Sequence, residues 1–139
     1  MPARTPDEVL VLPEAGGFLD IMRPAETLPD WLSAEALAFV VGEYRRSGFR
    51  GGLNYYRNID RNWALTAPWQ GAVITTPALF IAGSRDPVIA FFGGRQVEQL
   101  PQNVPGLRRK LLIEGAGHWI QQERPAEVNR LLIEFLRSV

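Results

Sequence analysis

Residues 77–87 read Pro-Ala-Leu-Phe-Ile-Ala-Gly-Ser-Arg-Asp-Pro, an unbroken apolar run that stops at a glycine and opens into a polar loop. An apolar run this short, without alternation, has the pattern of a parallel strand covered on both faces. A second run, Arg109-Lys-Leu-Leu-Ile113, follows a turn at Asn103–Gly106 and opens into Glu114-Gly-Ala-Gly-His118. Between the two runs, residues 94–100 suit a short helix. After them, Pro125 suits the first turn of a helix, and Val128, Leu131, Leu132, Phe135 and Leu136 form an apolar stripe at helical spacing. Strand, helix, strand, helix predicts an α/β fold with a parallel sheet, here over 69–139.

Upstream the periodicity is helical. Ser33 is placed as an N-cap, with Glu35 in the first turn, where the helix dipole favours an anion. Leu37, Val40, Val41 and Tyr44 follow at i, i+3, i+4 and i+7. Arg45 and Arg46 fall in the last turn, and Gly48 supplies a stop. In the next stretch, Leu53–Leu65, Tyr56, Ile59 and Trp63 share a face, which predicts a second helix joined to the first through Phe49-Arg50-Gly51-Gly52. Residues 31–68 thus read as a helical segment. Residues 1–30 carry six acids against two bases and five of the eleven prolines. Proline fixes φ and removes a donor, so this acidic stretch is expected to be an irregular, extended lead-in.

Composition narrows the function. The chain has 139 residues, 46% of them hydrophobic, with 15 basic and 15 acidic side chains and no net charge. Such a balance gives no field to draw nucleic acid or an anionic membrane, so neither is expected as a partner. There is no cysteine and one histidine, His118, which removes disulfides, thiolate chemistry and any histidine-based metal site. No metal is expected. With no apolar leader and no stretch near 18 apolar residues, the chain reads as soluble and cytoplasmic.

Reactive groups gather at the carboxyl ends of parallel strands. Each of the two loops leaving such an end offers one titratable residue, Asp86 after the first strand and His118 after the second, 32 positions apart. Each has an ordinary reading alone: Asp86 before Pro87 is good turn chemistry, and His118 among glycines is a loop histidine. Together, acid then histidine is the closing half of an α/β-hydrolase triad.

These residues resemble a known family. Gly48-Phe-Arg-Gly-Gly-Leu-Asn-Tyr-Tyr-Arg-Asn-Ile-Asp-Arg-Asn-Trp63 resembles part of the cap of soluble epoxide hydrolases of the α/β-hydrolase fold. Pro77–Pro87 is similar to the family's acid strand and loop, and Gly115-Ala-Gly-His-Trp-Ile-Gln-Gln-Glu-Arg-Pro125 to its histidine loop. The likeness runs from about Gly17 to Val139. It implies a C-terminal part: the end of a cap followed by the acid and histidine strands of the core.

The resemblance implies a mechanism. An aspartate nucleophile opens the epoxide and forms an alkyl-enzyme ester. Two cap tyrosines stabilise the departing oxygen. A histidine, held in its useful tautomer by a carboxylate, then activates water to release a diol. On this reading Tyr56 is one of the tyrosines, Asp86 the orienting acid and His118 the base, while Trp119 is a candidate pocket wall. The substrate is a small-molecule epoxide, and the resemblance implies no metal and no organic cofactor. Tyr55, about 100° from Tyr56 around a helix, is read as packing.

The nucleophile elbow, glycine–any–Ser/Asp–any–glycine, occurs nowhere in these 139 residues, and the only histidine is followed by Trp119, not by the glycine of the oxyanion motif. The chain alone is therefore expected to be inactive. It is also expected to self-associate, or to need a missing N-terminal half, because its strands lack neighbours. The alternatives are a fragment of another α/β-hydrolase, such as a haloalkane dehalogenase, and a non-catalytic interaction module.

Overall fold

The computed structural model describes residues 25–90 and 94–139. Most of the expected lead-in, up to residue 24, lies outside the described residues. Two compact units divide the rest: Glu26–Ala72, and one that holds Val73–Val139.

The first unit is helical. Helix α1 spans Ala34–Ser47. Ser33 caps it in an extended conformation, and its hydroxyl accepts the Ala36 N–H at 3.1 Å, taking up one donor that a helix start leaves unpaired. Gly48 ends it at φ 70°, ψ 179°, a region that side chains seldom enter, and returns its N–H to the Tyr44 carbonyl at 2.8 Å. The Tyr44 and Phe49 rings stack across this corner with centroids 4.6 Å apart.

The single helix expected over Leu53–Leu65 is two, α2 (Arg50–Arg57) and α3 (Ile59–Thr66), the latter running into a 3₁₀ turn at Ala67–Trp69. They part at Asn58, whose backbone N–H and side-chain amide both donate to the Asn54 carbonyl, at 3.1 and 2.8 Å. A short amide side chain competing for the helix's own acceptor favours a break there. Gly51 and Gly52, expected in a turn, lie inside α2, because Gly48 and Phe49 complete the corner alone. No described side chain of this unit is buried. The α1 stripe is nonetheless its sheltered face, with Leu37 37% exposed against 69% for Phe39.

The second unit is α/β. Strand β1 (Ala78–Gly83) runs parallel to β2 (Leu107–Ile113), in register from Leu79 opposite Arg109 to Gly83 opposite Ile113. A register shift at Ala78/Leu79 marks the start of the ladder. Between the strands lie α4 (Pro87–Ala90) and α5 (Arg95–Asn103); after them come α6 (Ile120–Glu123) and α7 (Pro125–Leu136), with Pro125 at the first turn. Side chains alternate across a strand. Ile81 and Leu111 pack on a core of Ile113, Ala116, Ile120, Val128 and Leu131, which puts α7 on one face. Phe80 instead faces Val97 and Leu100 of α5. β1 is half-buried until its last two residues, not fully buried as its run of apolar residues suggests. Of the α7 stripe, Val128 and Leu131 are buried, whereas Leu132 and Leu136 are exposed.

Lys110 joins β2 to α5. Pro101 lies within α5 and has no N–H to offer the Val97 carbonyl one turn back. Lys110 Nζ donates to that carbonyl instead, at 3.1 Å.

Candidate active site

Two parallel strands ending side by side deliver two adjacent loops. The acid loop leaves β1 at Gly83 and the histidine loop leaves β2 at Ile113, and the backbone knits them together. Ser84 N–H donates to the Ile113 carbonyl and Arg85 N–H to that of Ala116, both at 2.9 Å. Gly115 N–H returns the bond to the Ser84 hydroxyl at 2.9 Å. The contact is close enough to require glycine at 83: a Cβ there would run into the carbonyl oxygens of Gly117 and Ala116.

Asp86 is buried, 8% exposed. A buried carboxylate needs hydrogen bonds to offset its lost hydration. One comes from Val88 N–H to Oδ1 at 2.8 Å, closing the turn that starts α4. The other comes from His118, whose Nδ1 lies 3.1 Å from Oδ1 and 3.0 Å from Oδ2. The turn reading of Asp86 and its pairing with His118 therefore hold together.

A carboxylate only accepts, so Nδ1 is the donor and the neutral ring keeps its lone pair on Nε2. The His118 side chain is half exposed, and the Trp119 ring meets it edge-on with centroids 5.4 Å apart. A bare Nε2 on a half-exposed ring, with an anion behind it, can take a proton from water and stabilise the imidazolium that results. Among the described residues no cluster of His, Cys, Asp or Glu is suited to a metal ion.

The structure thus brings Asp86, His118 and Trp119 together. Tyr56 lies on α2 of the helical unit, 73% exposed, at a groove of about 630 Å³ that Tyr44, Leu53 and Ile59 also line. Tyr55, expected to pack, borders the same groove and is 83% exposed. Ser84 and Glu123 carry no motif that marks them in the sequence. Ser84 ties the two loops, and Glu123 accepts the N–H groups of Gly117 and Trp119 at 2.6 and 3.0 Å. Their closeness in sequence to Asp86 and His118 was the only available signal.

No protein-family model matches the chain. It is 47% identical over 130 residues to epoxide hydrolase A of Mycobacterium tuberculosis, covering 94% of this chain and 39% of that protein. It is 38% identical to epoxide hydrolase 2 of Siraitia grosvenorii, covering 92% of this chain and 41% of that protein. Among solved structures, epoxide hydrolase A of Mycobacterium thermoresistibile matches with a TM-score of 0.84 at 50% identity, over 95% of this chain and 40% of that one. An epoxide hydrolase from an endophytic Streptomyces matches with a TM-score of 0.89 at 43% identity, over 96% and 41%. The chain spans about two fifths of the length of these relatives. In sequence and in fold the chain thus matches the C-terminal part of epoxide hydrolases of the α/β-hydrolase fold.

Proposed function

We propose that these residues supply the hydrolytic half of an epoxide-opening enzyme whose nucleophile lies outside the 139 residues. The observation that carries this is the Asp86–His118 pair, built within one unit at the ends of two parallel strands. In the proposed reaction an aspartate oxygen attacks an epoxide carbon, the C–O bond breaks, and the oxygen takes a proton with help from the Tyr56 hydroxyl. His118 Nε2 then removes a proton from water. The resulting hydroxide attacks the ester carbonyl, the acyl C–O bond breaks, and the departing alkoxide takes the proton back from the His118 imidazolium, which releases the diol and regenerates the aspartate. Asp86 holds the ring through Nδ1, and Trp119 forms part of the substrate's wall. Residues 31–68 act as cap and 69–139 as core, with the acidic lead-in before them.

Fusing the chain behind the N-terminal portion of epoxide hydrolase A of M. tuberculosis tests the reading, with styrene oxide as substrate. The fusion should form diol, whereas the 139-residue chain alone should not exceed the buffer rate. Diol formation by the chain alone, lost in His118→Gln, would reveal a nucleophile within it. A folded fusion without turnover would leave the chain as a non-catalytic module.

A further inference from the structure

Glu123, at the end of α6, is not needed by the reaction just described, yet its side chain is committed to the loop that carries the base. Oε2 accepts the Gly117 N–H at 2.6 Å and Oε1 accepts the Trp119 N–H at 3.0 Å. These amides belong to the residues on either side of His118. One carboxylate therefore grips the backbone before and after the imidazole, using charge-assisted bonds roughly twice as strong as neutral ones. The ring itself is half exposed, held by Asp86 and the edge of Trp119. A loop with glycines at 115 and 117 has wide backbone freedom, and a shift of about 1 Å at a catalytic group can cost ~10²-fold in rate.

We propose that Glu123 is a positioning residue for the base. Its bidentate grip fixes the backbone of His118 so that Nδ1 meets the buried Asp86 and Nε2 stays bare. This rests on reading His118 as the base. Glutamine can keep one acceptor but turns an NH₂ toward the second amide; alanine removes both acceptors.

Because His118 is the only histidine, ¹⁵N-histidine NMR of the full 139-residue chain reports on this ring alone. The wild type should show a protonated Nδ1 and a bare Nε2. Glu123→Gln should reduce the Nδ1–H population, and Glu123→Ala should reduce it further, toward that of a histidine free in solution. Hydrogen exchange at Gly117 and Trp119 should quicken in both, while Leu131 keeps its protection and certifies the fold. If those two amides are released and the ring nitrogens do not move, Glu123 is only a loop anchor and the proposal is overturned. A wild-type ring without Nδ1–H preference would overturn the reading of His118 as base, and this proposal with it. Should Glu123→Ala fail to fold, Glu123→Gln decides.

Discussion

An imidazole that commits one nitrogen to a buried carboxylate has a single nitrogen left for chemistry, and in the proposed reaction each side chain serves a particular step. In the fused enzyme, His118→Gln should still let the nucleophile be alkylated but stop ester breakdown, so a covalent adduct accumulates. Asp86→Asn should slow the same step, by up to ~10⁴-fold if the wrong tautomer is the whole cause. Tyr56→Phe should act earlier, lowering the alkylation rate by about 10²–10³-fold, as loss of one oxyanion donor does. Mass spectrometry of single-turnover reactions separates these outcomes. Adduct accumulating in Tyr56→Phe but not in His118→Gln would reverse the assignment. The pair was legible in the sequence because its two residues follow apolar runs of the same kind. Glu123 was not, since nothing in a sequence shows which backbone amides a glutamate will reach.

At the scale of elements, α7 is tied to β2 by Glu134, which pairs with Arg130 at 2.8 Å and Arg109 at 3.0 Å. The Arg130 bond first, and then that of Arg109, hold the Glu134 carboxyl below its ordinary value. A carboxyl lowered by folding stabilises the fold above its unfolded value, and this is lost as the pH falls through the lowered one. Glu134→Gln should therefore unfold at a slightly lower temperature than wild type near neutral pH, the gap closing only on the acid side of the ordinary glutamate range. The gap should be small, because all three side chains are exposed. Thermal unfolding followed by circular dichroism across that range measures it; a gap that persists at the most acid pH would contradict it. Both strands and α7 were readable from periodicity. The break at Asn58 was not, because the same heptad-like spacing of Tyr56, Ile59 and Trp63 fits one helix or two, and only a side chain's choice of acceptor separates them.

For the whole molecule, the distribution of apolar surface matters most. The buried core lies in the α/β unit, whereas Tyr55, Trp63 and Trp69 are each at least two-thirds exposed. Among the described residues β1 and β2 are each other's only strand partners, so each has an open edge. Edges and apolar faces of this kind seek cover. At micromolar concentration the 139-residue chain should scatter light as a species heavier than its 15.6 kDa, and a monodisperse monomer would refute this. The knitting of the two loops has a genetic consequence as well. Asp86 and His118 are stitched to each other within one stretch of chain, through Ser84, Arg85 and Gly115. A recombination event at any point before residue 77 carries Asp86 and His118 over together, and only a crossover in the 32-residue interval between them can pair either with a stranger. Genes shuffled at such a point should therefore inherit the Asp86–His118 pair unbroken.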